Sequence, residues 1–352
     1  MTKLALPMMG NYQIPGIYLL KKILKCEVIK TPKITKKTLE LGTKYSPETV
    51  CMPFKYTLGA FIEAINKGAD TVVQFGGGCR YGYYYELQEN ILKDLYDVNY
   101  INLVSKGKTN IKEILKKFKS INPKLSLINA LYRFLITKRM VFCMDKIEDY
   151  MRHNLAFEKE KEMQKIYNEL LNKFENNKGY INLMYNYLKY FRKIKKVKLE
   201  KPENRIRIGI IGELFTVMEP FGNNDLEELL IKNKVDITRF TNVKYLLFEK
   251  GKKIKKYLKY SKEFVKYRMG ADASDNIART KYLCENKYDA IIHIKSTFCT
   301  PEIGAMPIIE KICNEYKVPI LFFSFDSQDS KTGFYTRVEA LLDMIEMRKK
   351  NE

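Results

Sequence analysis

The chain has 352 residues, long enough for two or three domains, and its 45% hydrophobic content excludes a disordered polymer. No apolar run is long enough to span a bilayer. Seven cysteines, an odd number with no CxxC pair, argue against a disulfide scaffold and exclude zinc-ribbon spacing.

In chain order, residues 3–6 read as a first strand, and the segment before Pro7 lacks the charged, apolar and small-residue regions of a signal peptide. A cytoplasmic protein is therefore expected. Residues 17–24 follow the helical period, 26–29 form a short strand, 53–66 a helix ended by Gly68, 71–75 a buried strand and 84–95 a further helix. This alternation predicts a parallel sheet flanked by helices. From about 110 to 199 strand signals fade. Apolar residues recur at helical spacing, as in Leu127, Leu131, Phe134 and Leu135, and again in Ile166, Leu170 and Phe174.

A second alternating stretch opens with a strand at 206–211. It continues with a helix from 225 to 231, a basic helical insertion over 248–269, a buried strand at 288–294, an amphipathic helix at 308–316 and a strand at 318–324. The last helix is expected over 336–347, with Thr336 and Glu339 as a capping box. The expected organisation is α/β: a first lobe over 1–109, a helical region over 110–204 and a second lobe over 205–352. The halves share an order of elements but no close sequence repeat.

Three cysteines stand where an element runs into a Gly- or Pro-marked loop. Cys51 follows Tyr45-Ser46-Pro47 and opens Cys51-Met52-Pro53-Phe54-Lys55; Cys79 closes Gly76-Gly77-Gly78-Cys79 after an apolar strand; Cys299 follows another such strand and precedes Thr300-Pro301-Glu302. Ligands bind at the carboxyl ends of strands in open α/β sheets. Thiolates are soft, anionic ligands, so three of them suggest a metal or iron–sulfur centre with one open coordination site. Each is also compatible with an ordinary loop cysteine. Cys143 lies in an apolar run, Cys313 on a helix with an apolar stripe, Cys26 in or beside a short strand and Cys284 at a helix end, and all four read as small buried hydrophobes.

Gly76, Gly77 and Gly78 permit close backbone approach and could present amide N–H groups to a cluster or a phosphate. No Walker lysine follows and the pattern is not GxGxxG. Arg80 could pair with an anion beside the centre, with Glu86 orienting it; the bland alternative is a surface ion pair. Lys55 is ambiguous in the same way. His293, inside an apolar strand, reads as a core histidine, and His153 has no evident partner. The formal net charge of +22 admits nucleic acid, but the lysines are dispersed through runs such as 106–119 and 189–201, which favours a solvated basic surface over a nucleic-acid footprint.

Several boxes together resemble the 2-hydroxyacyl-CoA dehydratase D-component family, and more closely its activase-related branch. They are Cys51-Met52-Pro53-Phe54-Lys55, Gly59, Gly68-Ala69-Asp70, Gly76-Gly77-Gly78-Cys79-Arg80-Tyr81-Gly82-Tyr83-Tyr84, Gly212-Glu213 with Pro220 and Asn223, Phe298-Cys299-Thr300-Pro301-Glu302, and Ser324-Phe325-Asp326 with Gly333 and Thr336-Arg337. The resemblance implies two Rossmann-like lobes around a [4Fe-4S] cluster held by three cysteines, which map onto Cys51, Cys79 and Cys299. It implies an ATP-hydrolysing activase as electron donor, an acyl-CoA substrate, and lyase or ATP-dependent reductase chemistry of an oxygen-sensitive, anaerobic kind. A paralogous subunit or a homodimer is a further implied partner. Non-catalytic electron transfer or cluster scaffolding beside such a partner is the alternative, and a basic nucleic-acid-binding protein a more remote one.

Overall fold

The computed structural model describes residues 2–76, 79–103, 111–327 and 331–351. The chain divides into two compact units, one made of residues 1–143 and 167–190, the other of 144–166 and 191–352.

The first unit opens with β1 (Lys3–Ala5), α1 (Gln13–Leu24), β2 (Glu27–Ile29), α2 (Lys36–Tyr45), α3 (Met52–Asn66), β3 (Thr71–Gln74), α4 (Tyr81–Leu95) and β4 (Asn99–Asn102). The four strands are parallel, in the order β2-β1-β3-β4. Successive side chains of a strand face opposite ways, and here both faces are covered. Leu4 and Val73 join Ile17, Leu20 and Ile23 of α1 on one face, while Ala5 and Val72 join Phe54, Leu58 and Phe61 of α3 on the other.

Two glycines bring α2 and α3 into backbone contact. A Cβ on Gly42 would stand 1.8 Å from the Lys55 carbonyl oxygen, and one on Gly59 would stand 1.9 Å from that of Thr38. Neither helix could accept a side chain at these points without moving.

The stretch expected to be helical is so: α5 (Ile111–Ile121), α6 (Leu127–Arg152), α7 (Met163–Glu175) and α8 (Tyr180–Lys195). In α6 the buried side chains include Ile136, Met140, Cys143, Met144, Ile147 and Met151, whereas Leu127, Leu131, Phe134 and Leu135, the residues that reveal the period, are exposed.

The second unit carries β5 (Arg207–Gly212), α9 (Leu214–Met218), α10 (Leu226–Lys232), β6 (Asp236–Arg239), α11 (Lys250–Tyr260), α12 (Ala273–Glu285), β7 (Ala290–Ser296), α13 (Thr300–Glu315), β8 (Ile320–Phe325) and α14 (Lys331–Asn351). Its parallel order, β6-β5-β7-β8, repeats the winding of the first unit. Ile208, Ile210 and Ile292 face α10 and α14; Ile211 and Ile291 face α12 and α13.

Several boundaries differ from the sequence reading, among them those of α1, which begins at Gln13, and α4, which begins at Tyr81. α13 begins at Thr300, immediately after Cys299, and runs through Pro307. α14 begins at Lys331, so Thr336 is inside it, its hydroxyl donating to the Thr332 carbonyl at 3.1 Å instead of capping. The basic insertion is helical only to Tyr260, where the Ser261 hydroxyl takes the Tyr257 carbonyl at 2.9 Å. Among the described residues no helix is long and apolar enough to cross a membrane.

Candidate functional site

The three singled-out cysteines share one local design: each stands at the start of a long helix. Cys51 is the N-cap of α3 and Cys299 the N-cap of α13; Cys79 precedes Arg80, the N-cap of α4, and its carbonyl accepts the Gly82 N–H at 2.9 Å. All three are partly exposed, whereas Cys26, Cys143, Cys284 and Cys313 are buried, as read. The positive end of a helix dipole favours the thiolate, the form that ligates metal.

Topology sharpens the placement. In each sheet the strand order reverses between the first and third strands, and such a switch point is where open α/β sheets bind ligands. Cys79 lies in the loop after β3 and Cys299 in the loop after β7, the equivalent strands of the two units. Gly76, with φ +70°, opens the first of these loops; Gly77 and Gly78 lie outside the described residues.

Beneath the cysteines of the first unit sits a buried polar lock. Gln88 of α4 donates through Nε2 to Thr57 Oγ1 at 2.7 Å and to the Phe54 carbonyl at 3.2 Å, both on α3. Its Oε1 accepts from Gln74 Nε2 at 2.7 Å and from the Tyr100 hydroxyl at 3.2 Å. Phe54 and Tyr84 meet edge to face with centroids 5.1 Å apart. The helices that begin at Cys51 and Cys79 are thereby fixed to each other and to the end of β3. A buried amide without partners costs about 1–3 kcal/mol, so the set is strongly coupled.

The second unit has its own lock. Glu302, in the first turn of α13, is fully buried and accepts from Asn276 Nδ2 of α12 at 3.1 and 3.0 Å. Its Oε2 lies 2.8 Å from His293 Nε2 of β7. Asn276 also donates to the Gly212 carbonyl at 2.9 Å and accepts from Arg279 at 3.1 Å. His293 is thus the core histidine expected, although its Nδ1 has no partner among the described residues. The group pins the helix that begins at Cys299 to the ends of β5 and β7.

Two further groups stand beside these loops. Lys295, at the end of β7, is 3% exposed. Burial pushes its ammonium below the ordinary lysine range, while the nearby Cys299 and Glu302 act the other way. Glu213 follows Gly212, whose φ of +138° and contact with the Ile294 carbonyl admit only glycine. The Glu213 carboxylate accepts from the Phe215 and Thr216 amides at 2.8 and 3.0 Å. Burial pushes it up to about 7, against the pull of the Thr216 hydroxyl and of those amides.

The remaining sequence candidates are Arg80, Glu86, Lys55 and His153. Arg80 is exposed at the start of α4, and Glu86, also exposed, accepts from the Tyr85 hydroxyl at 2.8 Å. Lys55 is buried one turn after Cys51. His153 does have a partner: its Nδ1 lies 2.6 Å from Asp236, which also holds Arg205 and Lys201. Gln88, Asn276, Glu302, Lys295 and Glu213 were not read as site residues. The available signals were a lysine and a histidine inside the otherwise apolar run of β7, and the place of Glu213 and Glu302 within the boxes quoted above.

Among the described residues no three His, Cys, Asp or Glu side chains form a group able to hold a single metal ion. A cubane spreads its thiolates over different irons, so its ligands need not form such a group. Each of the three thiols, partly exposed at a helix start, is a soft donor that suits iron–sulfur ligation and not a hard cation. No curated protein matches the chain. The family model described as 2-hydroxyglutaryl-CoA dehydratase, D-component, matches residues 28–345, and the chain belongs to that family.

Proposed function

We propose that the chain is an iron–sulfur component of the 2-hydroxyacyl-CoA dehydratase type, in which Cys51, Cys79 and Cys299 hold a [4Fe-4S] cluster with one open site. The observation that carries the reading is the equivalent placement of Cys79 and Cys299 at the switch points of two sheets wound alike. When bound, such a cluster supplies a low-potential electron and a Lewis-acidic iron for reductive or dehydration chemistry on an acyl-CoA. An ATP-hydrolysing activase is the proposed donor.

The chain's own residues have separate tasks in this reading. The Gln88 and Glu302 locks hold the cysteine-bearing helices in place. Lys295 offsets negative charge beside Cys299. Arg80 and Glu86 orient anionic groups near Cys79. Glu213 is able to hold a proton at neutral pH at the switch point of the second unit.

The test is iron content after anaerobic purification. Cys51→Ala, Cys79→Ala and Cys299→Ala should each lose most of the iron, while Cys313→Ala, a core position, should keep it. Full iron in the first three variants would refute the assignment.

A second reading, a subunit that acts only beside a paralogous partner, is favoured by one observation. Leu127, Ile128, Leu131 and Leu135 form an exposed stripe on α6, and Ile181, Tyr185 and Leu188 form another on α8; Ile128 and Ile181 are 84% and 85% exposed. The two helices touch, with Arg139 donating to Met184 at 3.3 Å. Contiguous exposed apolar surface marks a protein interface. Turnover by the chain alone would set this reading aside.

A further inference from the structure

The basic insertion is the motif that the proposed function leaves unused. On α11, Lys252, Lys255, Lys256 and Lys259 recur at helical spacing on one exposed face, with Ile254 buried on the other. Lys262, Lys266 and Arg268 follow, also exposed. Among the described residues none of these seven cations is in an ion pair. The acidic groups nearby are otherwise engaged: Glu249 with Lys244 and Lys253, Glu263 with Lys281, and Asp272 and Asp275 with Lys250.

Several other helices pair a lysine with a glutamate one turn away. Lys93 pairs with Glu89, Lys117 with Glu113 and Lys232 with Glu228, each one turn apart. On α11 the one-turn neighbours Lys252 and Lys256, and Lys255 and Lys259, are of like charge, which works against the helix.

The position of this face is informative. The segment that continues it packs on the first turns of α13: Gly270 lies against Pro301, and Met269 lies over Gly304. Tyr267, within the same segment, is 82% exposed. The cationic face therefore adjoins the helix whose N-cap is Cys299. Six of its seven charges are lysines, compact point charges suited to long-range steering. Of the aromatics that interleave these lysines, Tyr257, Tyr260 and Phe264 are half-buried and Tyr267 alone is exposed, so the segment offers one stacking ring and not the row of rings a nucleic-acid platform uses.

We propose that the face formed by Lys252, Lys255, Lys256, Lys259, Lys262, Lys266 and Arg268 is the docking surface for an acidic electron-donor protein, steered there to deliver electrons beside Cys299. This rests on the iron–sulfur reading and adds where the donor binds and by what force. Such encounters are electrostatic, fast and strongly salt-dependent.

The test uses the full chain, the activase as donor probe, and a variant carrying Lys252→Glu, Lys255→Glu, Lys256→Glu and Lys259→Glu. A control of equal charge carries Lys112→Glu, Lys116→Glu, Lys119→Glu and Lys124→Glu. Activase binding is measured on the chain without its cluster, and activase-driven reduction on the loaded chain, at about 0.01 M and about 0.15 M ionic strength, where the Debye length is about 30 and about 8 Å.

The face variant should bind about tenfold more weakly and be reduced about tenfold more slowly at low salt, with little remaining salt dependence, while the control and reduction by dithionite stay unchanged. Wild-type behaviour of the face variant, or equal loss in the control, overturns the proposal. So does loss of single-stranded RNA binding in the face variant with donor binding intact, which would assign the face to nucleic acid. A chain in which dithionite reduces nothing fails the iron–sulfur reading itself and removes this proposal with it, a result distinct from a slowed donor.

Discussion

At the scale of single residues, buried polar groups do most of the positioning, and they were the hardest to read. Gln88 sits among Tyr, Leu, Glu and Asn in a run that looks like an ordinary helix surface, and only the fold shows it bonded to α3, β3 and β4. Glu302 is three residues after an N-cap, where a capping box would be expected, yet it turns inward to His293 and Asn276. The cysteines were legible because Gly, Pro and the end of an apolar run mark strand-to-loop junctions. Asp236 gives a pH prediction at this scale. Burial pushes its carboxyl up, but hydrogen bonds from His153 and Arg205 and the charge of Lys201 outweigh that and hold it at about 2. The folded value is depressed, so its contribution is fully present above about pH 4 and is lost as pH falls towards 2. Asp236→Asn should unfold more easily at pH 7, by about 2 kcal/mol in denaturant titration. The wild-type advantage should shrink through that acid window; an advantage that persists at pH 2 would contradict the account.

At the scale of elements, period and punctuation located most strands and helices, and the misses have physical causes. β4 and β6 are short and carry Asn, Asp or Arg, so no apolar run announces them; they exist because Thr71 and Arg207 offer edges far away in sequence. Pro307 made α13 look like a helix starting at 308, although Pro301 in its first turn is the better start signal. The contact of α2 with α3 is the element on which Cys51 depends most. Gly59→Ala should push the helices apart, lower stability by about 2 kcal/mol and reduce iron retention although all three thiols remain. Unchanged thermal stability and iron content in that variant would show that the close approach is not needed.

At the scale of the whole molecule, the two sheets repeat one winding with no close repeat of sequence. Topology is set by which faces are apolar, and many sequences meet that requirement. The net charge of +22 is spread along the chain, and on α11 it includes Lys252, Lys255, Lys256 and Lys259, none of them in an ion pair among the described residues. The central claim is that the three cysteines serve one cluster. The most direct measurement is iron and acid-labile sulfide per chain after anaerobic purification and reconstitution, with the EPR spectrum of the dithionite-reduced protein. The account predicts about four irons, about four sulfides and the signal of a reduced cubane. A reconstituted chain with no iron would contradict it and return Cys51, Cys79 and Cys299 to ordinary loop positions in a dehydratase-family fold.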